Sequence, residues 1–594
     1  MRGAIANGAR PAVDVMKSTR LPSLSVLPCT FALLACGAVS AQAPSGDGGA
    51  TRARCEQLGA VMAGRWPDAS TAISSTHYFA ESQKIQVPTF GGPPAEISVP
   101  AHCEIFGALQ ERAGALGQRF SIRFHLRLPL DWNQRFFFQG GGGTNGDIGN
   151  ALGLLGAGVA PAISQGFAVV SQDSGHDNAT NSDPEHGGTA AFGFDPQARA
   201  NYGHASIHSV AQAAKAVVAA YYEQAASRSY FVGCSKGGEE GLAAAQRYPD
   251  DFDGIVGAAP GMSLPRAAIA QAWDVQALNG IQQVSTASAI ANAFSDADLG
   301  LASRAVLAAC DRDDRVVDGI VGDFQRCSGK KVHRQLSKLR CARGKTPTCL
   351  TNAQIVALVT MHAGPKDSSG RQLYSSWPWD PGLSSFAWRI WKLGAPGGGM
   401  PALNITLGGA SLSAVFTTPP TPVRDAPDAQ LEFVRHFDFD RDAPKIYATN
   451  SEFKVSAWDQ ISARSTDLSK FEVHGGKLIV PHGVSDAVFS INDTLSWFEE
   501  VDERAHGKAA SFVRVFPVPG MGHCGGGPAT DQFDAFGAVL KWVEKNEAPD
   551  LLMARAGPNT PWPGRQRPLC AFPAVARFRG SGSPELAESF ECTR

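Results

Sequence analysis

Tyr230-Phe231-Val232-Gly233-Cys234-Ser235-Lys236-Gly237-Gly238 is the stretch on which the reading of this chain turns. Its apolar start predicts a buried strand, and residues 239–247, rich in Ala, Leu, Glu and Gln, predict a helix. G-x-S-x-G between a strand and a helix is the pattern of a nucleophile elbow. The turn forces the serine into a strained backbone conformation, and side chains at Gly233 and Gly237 would collide with the flanking elements. The Ser235 hydroxyl then stands clear of the backbone, while the Lys236 N–H and the helix N-terminus face a developing oxyanion. Taken alone, the motif also reads as an ordinary strand-to-helix turn, because Gly and Ser are turn residues.

The flanking sequence favours the elbow. Residues 206–226 carry Val210, Ala213, Ala214, Val217, Val218 and Tyr221 at helical spacing, a core-facing helix that leads into the Ser235 strand. Residues 119–126 alternate apolar and polar, a half-buried strand. Arg135-Phe136-Phe137-Phe138-Gln139 is continuously apolar at its centre, as in a sheet covered on both faces, and runs into Gly140-Gly141-Gly142-Gly143-Thr144-Asn145-Gly146. So much bare backbone after a buried strand reads either as a linker or as a loop whose N–H groups approach a ligand. Gly143 is the candidate second oxyanion donor. Residues 166–170 form another strand and end in Ser171-Gln172-Asp173-Ser174-Gly175-His176-Asp177-Asn178. There Asp173, His176 and Asp177 read as satisfying backbone groups at a strand end; the rival reading is a metal-dependent hydrolase. Residues 253–260 are the next strand, and strands alternating with helices imply an α/β fold with a mostly parallel sheet.

The strand–helix rhythm stops near Met262 and resumes near Gly476 with Lys477-Leu478-Ile479-Val480. The organisation read from this is a catalytic core at 55–261 and 475–594 with an inserted lid domain at 262–474. The insertion holds Trp273, Trp377, Trp379, Trp388, Trp391 and Trp458, residues that serve cores more often than ligands. It also holds Asp311, Asp314 and Asp318 between Cys310 and Cys327. Their hard oxygens, with backbone carbonyls between them, suit Ca²⁺, though the spacing is not that of an EF-hand. The other reading is a solvated acidic turn. Calcium here would be structural, since it activates water poorly. After the strand at 477–480 comes a loop with Asp486; after a second strand at 513–518 comes Gly520-Met521-Gly522-His523-Cys524. Ser235, Asp486, His523 is the chain order of α/β-hydrolase triads, with His482 and Asp493 as structural neighbours. A hydrogen bond between Ser235 and His523 would also bring Cys234 and Cys524 within reach of a disulfide that ties the elbow to the His loop.

The chain of 594 residues is 43% hydrophobic, enough for a large core, and its net charge of −2 with no basic tract speaks against nucleic-acid partners. Residues 1–43 read as a secretory signal: a positive Met16-Lys17-Ser18-Thr19-Arg20, a short apolar run over 24–39, and Val39-Ser40-Ala41 before Gln42. The expected location is secreted or periplasmic. Leu33-Leu34-Ala35-Cys36 resembles a lipobox, so an outer-membrane lipoprotein with a lipid anchor is the alternative. Residues 44–54 read as a flexible leader, and no later stretch is long and apolar enough to span a bilayer. Setting aside Cys29 and Cys36 leaves an even number of cysteines, which favours disulfides in an exported chain; none has C-x-x-C spacing, which argues against zinc. Cys55 and Cys103 bracket the first folded segment. No motif addresses the oligomeric state.

The Gly233–Gly238 elbow, His482-Gly483-Val484-Ser485-Asp486, Gly520-Met521-Gly522-His523-Cys524 and the acidic loop at 311–320 together resemble the tannase and feruloyl esterase family. The resemblance runs from about Cys55 to Cys592. It implies an α/β-hydrolase fold with a large lid and a structural Ca²⁺ held by Asp311, Asp314 and Asp318 with the carbonyls of Val316 and Ile320. It implies the disulfides Cys55–Cys103, Cys234–Cys524, Cys310–Cys327, Cys341–Cys349 and Cys570–Cys592, and an aromatic acyl pocket lined by Trp391 and Phe489. The activity implied is a serine carboxylesterase acting on small esters of aromatic carboxylic acids through an acyl-enzyme. One bacterial branch acts on a terephthalate monoester. A site for that free carboxylate would present a lid arginine, but Leu403-Asn404-Ile405-Thr406-Leu407-Gly408 has none, Arg389 and Arg424 are the nearest, and Gly142 offers no hydroxyl. Feruloyl, galloyl and simpler aromatic esters therefore stand beside terephthalate. The rival class is a catalytically silent hydrolase-fold binding protein.

Overall fold

A computed structural model describes residues 48–594 apart from 90, 91 and 157. The signal segment and lipobox lie outside the described residues. The expected flexible leader is partly a helix: Gly48–Glu56 is helical, and Cys55 is buried and disulfide-bonded to Cys103. Small, polar composition suggested a loose segment, but the covalent tie and the burial of Leu58 and Met62 just beyond it anchor this end.

Nine strands build the main sheet: β1 Ala72–Phe79, β2 His102–Ala113, β3 Arg119–Pro129, β4 Arg135–Gln139, β5 Ala168–Gln172, β6 Arg228–Cys234, β7 Gly254–Ala258, β8 Lys477–Gly483 and β9 Val513–Val518. Their order across the sheet is β1-β2-β3-β5-β4-β6-β7-β8-β9. Strands β1, β2, β3 and β5 pair antiparallel, and every pairing from β5 onward is parallel. The Phe-Phe-Phe run of β4 is explained by its two covered faces. Phe136 and Phe138 enter one core with Phe231 and Ile255; Phe137 enters the other with Tyr230, Val256 and Trp542. The strand at 119–126 extends to Pro129 and becomes continuously buried from Phe124, where a second face is covered.

Between Ala258 and Lys477 the described residues contain helices and loops but no strand, beginning with the helix Leu264–Asn279. This segment and the sheet share the larger core, and residues 48–594 form one compact unit. The elbow helix Lys236–Arg247 begins at Lys236, directly after the serine, and the preceding helix ends at Tyr222. All five disulfides implied by the resemblance are formed. No described helix is long and apolar enough to cross a membrane.

Candidate active site

Ser235 sits between β6 and its helix with φ 66° and ψ −121°, a conformation disfavoured for a non-glycine residue. The surroundings hold it there. Its N–H donates to Ala258 O at 3.1 Å, and its carbonyl accepts from Gly261 N at 3.2 Å. The flanking glycines are required by close approach: a Cβ on Gly233 would collide with the carbonyl of Gly237, and one on Gly237 would lie 2.6 Å from Gly141 O.

The parallel strands β8 and β9 end beside this turn, and the loops after them carry Asp486 and His523. The His523 Nδ1–H donates to Asp486 Oδ2 at 2.8 Å, while Asp486 Oδ1 accepts from the N–H groups of Val488 (2.7 Å) and Phe489 (3.0 Å). His482 Nε2 lies 3.3 Å from Asp486 Oδ2 and its Nδ1 is 2.9 Å from Thr494 Oγ1, a bracing role. Burial alone would raise the Asp486 pKa; the charge of His523 and hydrogen bonds from His482 and His523 outweigh it and hold the carboxyl well below the usual carboxylate range. His523 Nε2, the atom that would take a serine proton, is buried and has no hydrogen-bond partner among the described residues. The Cys234–Cys524 bridge, with Cα atoms 6.0 Å apart, ties the residue before Ser235 to the residue after His523.

Ser235, Lys236, Gly143, His523, Trp391 and Phe489 all line one cavity of about 720 Å³. The Trp391 and Phe489 rings meet the His523 ring edge-on, with centroids 5.7 and 5.3 Å away. Gly143 has φ 58°, and its carbonyl accepts from Tyr202 Oη at 3.2 Å. The glycine loop is braced from the elbow helix: Glu240 accepts from Gly141 N at 2.8 Å and from Asn145 Nδ2 at 2.7 Å. The Lys236 side chain turns away from the cavity into this buried cluster, with Nζ 2.6 Å from Glu239 and 3.4 Å from Glu240. Burial pushes Glu239 up to about 8 despite the lysine.

The insertion reaches the loops that carry Asp486 and His523. Asp380 is buried; Ser485 Oγ donates to its Oδ1, and Gly520 N donates to its Oδ2 at 3.1 Å. The Trp377 Nε1–H donates to the Asp486 carbonyl at 3.0 Å. Sequence reasoning missed Asp380, Trp377 and Glu240. Two consecutive acids directly after the paired glycines of a helix with a wholly buried first half were a usable signal for Glu240; Asp380 had none.

The remaining expectations separate clearly. Asp173 accepts from Arg123 N (3.0 Å) and Gly175 N (2.9 Å), and Arg123 pairs with both Asp173 and Asp177. His176 stacks on Phe192 at 3.9 Å. The two aspartates brace the strand end as expected, whereas the buried His176 ring nitrogens have no hydrogen-bond partner among the described residues; with both aspartates paired to Arg123, the three do not form the metal site of the rival reading. Asp493 pairs with Arg464. Arg389 is buried and donates to the carbonyls of Phe294 (2.9 Å) and Ala291 (3.0 Å), while Arg424 pairs with Glu185 at the surface. Neither lines the cavity.

In the acidic loop, Asp311 and Asp314 are buried, and Asp318 accepts from Ile320 N at 3.0 Å and pairs with Arg567. As they stand, no three His, Cys, Asp or Glu side chains among the described residues converge closely enough to hold a metal ion. The donor chemistry still fits a hard cation. Burial, reinforced by the charge of Asp318, pushes Asp314 up to about 7, a repulsion that a divalent cation would relieve.

A mixed sheet with a serine at a strand–helix elbow, followed in chain order by an aspartate and a histidine on loops at the same edge, defines an α/β-hydrolase. The chain belongs to the tannase and feruloyl esterase family: the family's sequence model, described as "Tannase and feruloyl esterase", matches residues 103–593. It is 41% identical over 571 residues to the mono(2-hydroxyethyl) terephthalate hydrolase of Piscinibacter sakaiensis, covering 91% of this chain and 92% of that one. It is 30% identical over 482 residues to a probable feruloyl esterase of Arthroderma benhamiae, covering 79% and 82%. The crystal structure of feruloyl esterase B from Aspergillus oryzae shares the fold, with a TM-score of 0.69 at 23% identity over 91% of this chain and 100% of that one. The protein is a carboxylic ester hydrolase.

Proposed function

We propose that this enzyme hydrolyses esters of aromatic carboxylic acids through a Ser235–His523–Asp486 triad and a covalent acyl-enzyme. The observation that carries the reading is His523, oriented by Asp486 through Nδ1 with its Nε2 unpartnered in the cavity that Ser235 also lines. In this mechanism Nε2 takes the Ser235 proton as Oγ attacks the ester carbonyl. The N–H groups of Gly143 and Lys236 hold the oxyanion, and the imidazolium returns its proton to the leaving alkoxide. Water activated by His523 then releases the acid and regenerates Ser235.

Trp391 and Phe489 are the aromatic walls of the acyl pocket, continued by Leu264, Leu403, Leu407 and Phe416. Among the described residues lining the cavity, Lys236 carries the one permanent cation, and its Nζ is engaged by two glutamates. This favours an uncharged acyl group of feruloyl or galloyl type. The identity to a terephthalate-monoester hydrolase supports a second reading, in which the monoester is also accepted. Methyl ferulate, methyl gallate, a terephthalate monoester and 4-nitrophenyl acetate, compared by kcat/KM, separate the readings. The first requires ferulate or gallate to lead; comparable values on all four would overturn the aromatic-acid preference.

Ca²⁺ belongs to this proposal as a structural ion in the lid, held by Asp311, Asp314 and Asp318 with the Val316 and Ile320 carbonyls. It would supply charge neutralisation and stiffness, not chemistry. Five disulfides suit an exported protein in an oxidising compartment. Free secretion and a lipid anchor differ by whether the mature chain partitions into detergent.

A further inference from the structure

We propose that Gln271 is a specificity-determining residue: its carboxamide selects acyl groups that carry an uncharged hydrogen-bonding substituent, such as a phenolic hydroxyl or methoxy group, at the end remote from the ester. The proposal rests on the aromatic-esterase reading above.

The helix Leu264–Asn279 presents Leu264, Ala268 and Gln271 to the cavity, a four-then-three spacing that places them on one face. Its Leu264 end adjoins the nucleophile: Gly261 N donates to Ser235 O at 3.2 Å, and Leu264 N donates to Gly261 O at 3.1 Å. Seven residues further on, at a helical rise of about 10 Å, Gln271 stands at the far end of that wall. The facing wall carries Leu403, Leu407 and Ser411, again on one face of a helical segment.

Space for the carboxamide is made by a bare backbone. A Cβ on Gly408 would collide with Gln271 Oε1, so any other residue at 408 would displace the side chain. Gln271 is only 6% exposed and Ser411 5%, yet among the described residues neither side chain has a hydrogen-bond partner. Unlike the sealed, unpartnered groups elsewhere in the core, both open onto the cavity. A buried amide held against apolar walls without a partner is costly, and a ligand group that completes it recovers that cost. The amide offers one acceptor and two donors, which match a hydroxyl or ether oxygen, but no positive charge to balance a carboxylate.

The test compares kcat/KM for methyl 4-hydroxycinnamate and methyl cinnamate in the wild type, Gln271→Leu and Gln271→Met. The wild type should prefer the hydroxylated ester by about tenfold or more, the value of one recovered buried hydrogen bond. Each variant should erase that ratio by losing rate on the hydroxylated ester. Equal wild-type rates on the two cinnamates would overturn the assignment while leaving the aromatic-esterase reading intact, as would variants that slow both equally. Turnover of 4-nitrophenyl acetate with neither cinnamate hydrolysed would overturn both. Where an apolar variant fails to fold, Gln271→Asn, which keeps the amide but withdraws it by one methylene, should lower the same ratio, and an unchanged ratio in it would overturn the assignment.

Discussion

The sheet-edge loops that carry Ser235, Asp486 and His523 and the inserted segment that walls the cavity meet at one site under opposite constraints. Each residue of the proposed triad is held by its own chain: Ser235 by the turn geometry, Asp486 by two backbone N–H groups, His523 by the covalent bridge at the next residue. The cavity wall contributed by the insertion is made largely of side chains on helix faces, where Leu264, Leu403 and Leu407 are alike in hydrophobic character, with Phe416 in the turn that follows. The groups proposed to do the chemistry are held by the backbone around them, while the wall proposed to meet the acyl group is built of side chains, with Gln271 its one buried polar amide. Asp380 is the exception, an insertion residue hydrogen-bonded to Ser485 and Gly520 on the loops that carry Asp486 and His523.

That contrast can be broken by substitution. Ser235→Ala should lower kcat by about 10⁶-fold with the fold intact by circular dichroism; residual turnover near wild type would remove the nucleophile assignment. Asp486→Asn should cost about 10⁴-fold through the wrong imidazole tautomer. The same variant tests a stability effect. Because the Asp486 carboxyl is depressed in the fold, it stabilises the protein above the unfolded carboxylate value near 4, and that contribution is lost as pH falls through the lower folded value. Asp486→Asn should therefore flatten the fall in Tm below pH ~4. If Asp380 positions the triad from the insertion, Asp380→Asn should lower kcat by roughly tenfold to a hundredfold with little change in KM. Equal loss in both would mark a merely structural role. The smallest expected effect is on the acidic loop: chelation should lower Tm by a few degrees, at about 1 kcal/mol per degree for a domain of this size, and added Ca²⁺ should restore it. An unchanged Tm would leave the loop without an ion, its buried carboxylates met by backbone N–H groups and Arg567.

What could be read in the sequence follows the same division. The elbow at Ser235, the order Ser235–Asp486–His523 and the cysteines beside two of those residues were legible because each rests on local backbone geometry or covalent reach. The two-core sheet was legible in the Phe136–Phe138 run. Glu240 behind the glycine loop, Asp380 beneath the triad and Gln271 against Gly408 were not, since each acts through a contact between segments distant in sequence. The helix at Gly48–Glu56 was hidden for a related reason: its order comes from burial and the Cys55–Cys103 bond rather than from its own composition.

The most direct measurement is covalent labelling of the folded enzyme with a serine-directed aryl phosphonate, read by intact mass and peptide mapping. A Ser235 nucleophile gives one adduct per chain, located on that residue, with activity lost in step. A folded, fully active chain that takes no adduct, or an adduct on another residue, would contradict it.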